Sequence, residues 1–381
     1  MALELYEERL KRIETAAHLG KPDRVPVVLG IEYFAARYKG MKMAEFIWNT
    51  KKGAALILET ALELGVDGLL SAMPVSPVAA VAAVFPTRIK LPGRDLGEDE
   101  LLQFNEAEPL MEVEDYDFII KHGWKAFFPK LLERCIDFMP LKEALAQLEA
   151  LGELAVTVND CFKKAGIPVI TGGGIVPPSQ LFSAARTIGE FFKDLRRYPQ
   201  KVIDAMEAAL PDVVETGLAA ARSSGIDRLI FGATRECGGF VSLAMYERFF
   251  HPIFLRIINA CVKAGCEVLL HFDSDWTKNL GYLRDFPAGK CILHMDGSTD
   301  IFKAKEVLGG HMALKGDVPP SLLTIGTPEK VDTYCRRLIA EVGREGGFIL
   351  AQGCGVPINA KIENVKAMVE AAQKYGVYSC N

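Results

Sequence analysis

The sequence predicts a single α/β domain folded as a (β/α)8 TIM barrel, and three observations predict it. Eight short apolar runs alternate with helical stretches from Val25 to the end of the chain. Most of these runs are continuously apolar and do not alternate with polar residues, as parallel strands buried on both faces do. The competing open doubly wound sheet lacks its dinucleotide fingerprint. Gly172-Gly173-Gly174 follows a strand without the G-x-G-x-x-G spacing, and there is no Walker A or H-E-x-x-H pattern.

Taken in order, residues 4–18 read as an amphipathic helix ahead of the barrel, an N-terminal helical extension. The first strand is Val25–Leu29. A helix over 43–64 ends at Gly65, a suitable C-cap, and Asp67–Ser71 is the second strand. Residues 79–165 break the rhythm. They hold the strand-like Arg88–Lys90, an acidic segment from Glu106 to Asp117, and helices near 126–136 and 141–164. No Pro/Ser/Gly-rich linker flanks them, so they read as an insertion capping one domain, 1–381. The pattern resumes with strand Pro168–Thr171, a Gly172–Gly174 loop, and helices over 179–194 and 199–223. Strands Asp227–Phe231, Glu267–His271, Cys291–Asp296, Met312–Asp317 and Phe348–Gln352 follow. They are interleaved with helices over 243–264, 300–307, 328–343 and 362–375.

Composition narrows the function. The chain carries 44 basic and 49 acidic residues, and the basic residues form no patch, which argues against a nucleic-acid partner. No apolar run approaches the roughly 18–20 residues of a membrane span. The start of the chain is a charged helix and not a signal peptide. The nine cysteines are odd in number, scattered and without C-x-x-C, as in a reduced, cytoplasmic protein. All but Cys354 read as structural.

Barrels place chemistry at the carboxyl ends of their strands. Those ends carry Glu32 and Arg37, then Met73, then Glu236 and Cys237. His271, Asp273 and Asp275 come next, followed by Asp296, by Lys315 and Asp317, and by Cys354. His271 and Asp273 are two residues apart on an extended segment, so both point to one side. With Cys354 from across the mouth they make three metal ligands with an open fourth position, the pattern of a catalytic zinc acting as a Lewis acid. Structural readings stand beside this one. His271 also fits a satisfied core histidine, and Cys354 a buried small hydrophobe. Asp273 and Asp275 also fit helix caps, Asp296 a cap on the turn Gly297–Thr299, and Lys315 with Asp317 a structural ion pair. His294 and His311 read as structural. Tyr33, Phe34, Phe240 and Trp276 read either as pocket lining or as core.

At these residues the sequence resembles the uroporphyrinogen decarboxylase superfamily, and within it the zinc- and corrinoid-linked methyltransferases. Asp23–Val27 is similar to the family's opening strand and Gly65–Asp67 to its second. Ser242–Pro252 resembles the S-P-x-x-[FWY]-x-x-F-x-x-P segment, with Leu243 in place of the proline. Lys315–Pro319 resembles G-N-[VL]-D-P. Gly353–Pro357 with Glu363–Val365 resembles the closing G-C-x-[IL]-P…E-N-[VIL]. The decarboxylases carry an arginine-rich stretch after strand one and an aspartate after strand two. Here Tyr33–Tyr38 keeps one arginine, Arg37, and Leu70–Met73 has no aspartate, so a polycarboxylate tetrapyrrole lacks its cations. The methyltransferases carry H-x-C after strand five and a second cysteine in the closing motif. His271 and Cys354 match, and Asp273 stands where the first cysteine would be.

The resemblance implies zinc held by His271, Asp273 and Cys354, and a corrinoid (cobalamin) brought by a partner protein, since no D-x-H-x-x-G segment occurs. The expected reaction moves a methyl group from a small O-methylated substrate, such as an aryl methyl ether, to the corrinoid cobalt in anaerobic O-demethylation. Glu236 would be an added ligand or a proton source. Arg37, Met73, Asp296, Asp317 and the four aromatic residues would contact substrate. Two other readings remain: transfer from a methylcorrinoid to a thiol or folate, and a binding protein without metal chemistry. A homodimer is left open.

Overall fold

The computed structural model describes residues 2–74 and 77–378. The strands are β1 (Val28–Leu29), β2 (Gly68–Leu69), β3 (Arg88–Lys90), β4 (Gln103–Asn105) and β5 (Gly173–Ile175). They continue as β6 (Arg228–Ala233), β7 (Glu267–Phe272), β8 (Cys291–Met295), β9 (Ala313–Val318) and β10 (Phe348–Gln352). Strands β5 to β10 form a parallel sheet in sequential order, and β1 pairs parallel with β2. Parallel bridges Leu69↔Val169 and Val27↔Leu350 join the two sheets on both sides, closing an eight-strand barrel. The hairpin β3–β4 is antiparallel and belongs to the insertion, with helices Val78–Val84, Val113–His122, Trp124–Cys135 and Leu141–Lys164.

The barrel has a dry floor. Val28, Leu70, Ile170, Ile230, Leu269, Ile292, Ala313 and Ile349 come one from each barrel segment. They pack with Ile13, Ala16 and Ala17 of the N-terminal helix Ala2–Ala17. The N-terminal extension is therefore the plug that seals one end. A buried carboxylate fixes it there. Asp67 accepts from Arg12 Nη1 (2.7 Å), from Arg24 Nη1 and Nη2 (both 2.7 Å) and from the Val27 amide (2.8 Å). One side chain thus ties the plug to the entries of β1 and β2.

Several expected elements differ; the helix expected over 179–194 is two, Pro178–Ala185 and Ile188–Arg197, divided at Thr187, whose side chain caps the second. The Gly172–Gly174 loop is partly strand, because its glycines let β5 lie against the helix Pro199–Ser224. A Cβ on Gly173 would sit 2.5 Å from Ala220 Cβ. Helix 43–64 is two helices divided at Asn49, whose side chain accepts from the Lys52 amide. The 243–264 stretch opens through a π-helical turn, Tyr246–Phe250, ahead of Pro252. Proline has no N–H for the regular ladder, and the turn widens to an i→i−5 bond from His251 to Tyr246.

Removing the Asp67 carboxylate leaves two arginines and an amide without their shared acceptor. Asp67→Ala is expected to lower the unfolding free energy by about 3–5 kcal/mol, read as a shift in the urea midpoint.

Candidate functional site

Above the floor the barrel interior turns polar on one side and small on the other. His271 on β7 is the register partner of His294 on β8, and His294 that of Lys315 on β9. His271 Nδ1 lies 2.8 Å from His294 Nδ1, and His294 Nε2 lies 3.1 Å from Lys315 Nζ and 3.3 Å from the Gln352 carbonyl oxygen. On the other side a Cβ added at Gly232 would meet nothing within 4 Å. Open space therefore exists at this level.

The free face of His271 meets the other two expected ligands. Cys354 Sγ is 3.5 Å from His271 Nε2, and Asp273 Oδ1 is 3.6 Å from the same nitrogen. All three ligand atoms fall within 4.8 Å of one another. Loop chemistry holds them. Cys354 adopts a left-handed φ of 54°. Its carbonyl accepts from Gln352 Nε2 at 2.8 Å. Gly353 before it has to be glycine, since a Cβ there would lie 2.4 Å from the Asp296 carbonyl oxygen. Asp273 donates its amide to the Ala233 carbonyl and receives Trp276 Nε1 on its own.

These separations suit a metal. A tetrahedral zinc with nitrogen or oxygen at ~2.0 Å and sulfur at ~2.3 Å has a sulfur–nitrogen edge of about 3.5 Å and a nitrogen–oxygen edge of about 3.3 Å. Asp273 Oδ1 is also buried without a hydrogen-bond partner, a condition that bound cations relieve. Burial pushes each group toward its neutral form. It lowers the His271 pKa, against the pull of Asp273, and raises that of Asp273. Burial, then Asp273, pushes the Cys354 thiol up to about 12.

Three residues read as structural or left without a role join this interior: His294, which bonds His271 and Lys315, then Lys315 itself and Glu32. Lys315 is fully buried, and burial lowers it to about 7. Glu32 opens the helix Glu32–Tyr38 at the β1 exit, and burial raises it to about 7 against the influence of Lys315. Lys315 does not pair with Asp317 as expected; it bonds His294. The Asp317 carboxyl is raised to about 7 by burial and accepts from Tyr334 OH (2.9 Å), on the helix Pro328–Glu341 outside the barrel wall.

Other expected site residues stand apart from the cluster. Both Glu236 oxygens are occupied, one by Ser179 Oγ (2.7 Å), the other by the amides of Thr234 and Arg235. Arg37 turns to the Asp99 carbonyl. Phe34 is core, stacked on Tyr38, and Trp276 is fully buried against Phe272. Tyr33 packs near Phe46 beside Glu32, Met73 is partly buried, and Phe240 is exposed. Asp296 accepts from the Ser298 amide, as a turn cap, and from the Ser274 amide, which ties it to the cluster's loop. Asp275 accepts from the Thr277 amide, again a cap. His311 bonds the Phe286 carbonyl and is structural. Eight free cysteines are described; Cys380 lies outside the described residues. A second cluster, Glu14, His18 and Glu267, lies at the floor end of the barrel and is already neutralised by Arg228.

The family model for uroporphyrinogen decarboxylase (URO-D) matches residues 126–375. A uroporphyrinogen decarboxylase of Coxiella burnetii is 30% identical over 144 residues, 37% of this chain and 39% of that protein. The match thus spans about two-fifths of that relative. A methylated-thiol–coenzyme M methyltransferase of Methanosarcina mazei is 25% identical over 237 residues, 58% of this chain and 62% of that protein. Among solved structures, a methyltransferase from Methanosarcina mazei superposes with a TM-score of 0.65 at 16% identity, covering 96% of this chain and 98% of that one. It shares the barrel fold.

Asp273 is the second cause, after burial, of the raised Cys354 pKa. Asp273→Asn is therefore expected to increase the thiolate fraction. Iodoacetamide labelling of Cys354 at pH 7.5, followed by peptide mass spectrometry of the metal-free protein, should speed up several-fold.

Proposed function

The chain belongs to the uroporphyrinogen decarboxylase family, and on that premise we propose that it is a methyltransferase. It moves a methyl group from a small O-methylated substrate, such as an aryl methyl ether, to the cobalt of a corrinoid carried by a partner protein. The observation that carries this reading is the trio His271, Asp273 and Cys354, spaced as zinc ligands beside open interior space. A zinc ion held there supplies Lewis-acid polarisation of the ether oxygen.

The chain's own residues do the positioning. His294 orients the His271 ring, Trp276 holds the Asp273 backbone, and Gln352 holds that of Cys354. Glu32, near neutrality at about 7, is suited to hold a proton and release it to a departing oxygen. A carboxylate in the donor set makes the site harder than a two-thiolate one and favours oxygen donors. The fully buried basic side chain facing this interior is Lys315, its basicity lowered by burial, and Arg37 is engaged elsewhere, which suits a small substrate better than a polycarboxylate tetrapyrrole. The Methanosarcina mazei relative, by its name a methylated-thiol enzyme, favours a second reading in which the acceptor or donor is a thiol.

Metal analysis of the purified protein should find zinc, and cob(I)alamin should be methylated faster from an aryl methyl ether than from a methylated thiol. His271→Ala and Cys354→Ala should each lower the rate by more than the roughly 10–100-fold that loss of an outer partner costs. Full activity in either variant would remove the mechanism. Faster turnover with thiol would transfer the reading to the second substrate class.

A further inference from the structure

We propose that His294 and Lys315 are positioning residues that decide which ring nitrogen of His271 is free to take a metal. The inference rests on the metal reading above. Its geometry is the row His271–His294–Lys315, bonded nitrogen to nitrogen across β7, β8 and β9.

Two imidazole nitrogens 2.8 Å apart share one proton between them. If His294 supplies it, the neutral His271 carries its own proton on Nε2, the nitrogen that faces Cys354 and Asp273, and that nitrogen is closed to a cation. If His271 supplies it, Nε2 has a free lone pair. The far side of His294 makes the choice. There Nε2 faces the Gln352 carbonyl, which only accepts, and Lys315, which as an ammonium only donates. With an ammonium at 315, His294 Nε2 accepts, Nδ1–H points at His271, and the site is closed. With a neutral amine, His294 Nε2–H points at the carbonyl or the amine, Nδ1 accepts from His271, and the site is open.

His294 stays neutral in both states, since burial, with Lys315 and His271 beside it, holds its pKa well below the usual value. Lys315 is the group able to change. It is fully buried, and its titratable neighbours are His294 on β8, His271 on β7, Glu32 on the helix after β1, and Cys354 after β10. Burial brings its pKa down to about 7, so both forms are accessible.

The proton count closes. In the closed state Lys315 is an ammonium, His294 carries Nδ1–H and His271 carries Nε2–H. As a cation binds, the Nε2 proton of His271 leaves to water and the proton between the rings passes to His271 Nδ1. His294 Nε2 takes a proton from Lys315, which becomes an amine. One proton is released by the row, in addition to any from Cys354 and Asp273.

The test uses full-length protein with ¹⁵N-labelled histidine, read by NMR without metal. The wild type should carry the His271 proton on Nε2 at pH 6 and on Nδ1 at pH 8.5. Lys315→Met should show Nδ1–H at both pH values. Calorimetry in two buffers at pH 6 should find one proton fewer released on zinc binding to Lys315→Met than to wild type. Lys315→Arg, which cannot lose its charge, should bind zinc about tenfold or more weakly than wild type. A lysine acting only through its charge would leave the His271 tautomer the same in all three proteins, and that result would overturn the proposal. The wild-type pH arm needs no variant to fold. Because the tautomer is read without metal, failure of zinc to bind would sink the metal reading alone.

Discussion

The site depends on one constraint: three basic side chains from adjacent parallel strands stand in register in the barrel interior, His294 and Lys315 fully buried and His271 part-buried. His294 bonds both His271 and Lys315, and among the described residues no carboxylate hydrogen-bonds to His294 or Lys315. Burying three like charges together is prohibitive, so the row must be mostly neutral, and the depressed basicity of all three is the expression of that cost. Neutral imidazoles are what a metal needs as ligands and supports. On the proposed reading, desolvation beside a lysine would keep His271 neutral and so fit to coordinate a cation.

The rest of the fold serves to keep that row dry below and reachable above. The floor layer, one apolar side chain from each barrel segment, is sealed by Ile13, Ala16 and Ala17 and fixed by the Asp67 carboxylate. Beside the row, at the level of His271, Gly232 leaves room where a side chain would fill it. Two strands, β8 and β9, lie between β7 and β10 in the sheet, so Cys354 does not reach His271 as a neighbour. The left-handed turn at Cys354, made possible by the close approach of Gly353 to the β8 exit, folds the thiol back over the row.

How much of this was legible in the sequence follows the same division. Continuous apolar runs identified the strands, and the last helix, Ile362–Tyr375, falls where its pattern puts it. His271, Asp273 and Cys354 were recognisable because each sits at a strand exit, and the structure brings their ligand atoms together. His294 was not, and Lys315, though read at a strand end, gave no sign of its true partner, because their meaning lies in the register between strands, which no single run encodes. Lys315 and Asp317 looked like a pair from their spacing, yet the aspartate bonds a helix outside the wall while the lysine bonds a histidine inside it. Phe34 and Trp276 have the composition of pocket residues and the surroundings of core. Glu236 has the burial of a catalytic acid, and its hydrogen bonds are all spent on Ser179 and local amides.

Asp273 is the residue at which metal chemistry and structure bear on each other most directly. Without a cation its position is unfavourable in three ways. Its Oδ1 is buried without a hydrogen-bond partner, its carboxyl is pushed toward neutrality by burial, and its charge adds to what holds the Cys354 thiol protonated. A divalent cation among the three ligand atoms reverses all of these together, because it favours carboxylate and thiolate and occupies the imidazole lone pair. A thiol in place of that carboxylate would remove the orphaned oxygen and soften the site. On the proposed reading, retaining the carboxylate would couple cation binding to relief of local electrostatic strain. It would also keep the site harder than a two-thiolate site, the condition under which an ether oxygen competes well for an open position.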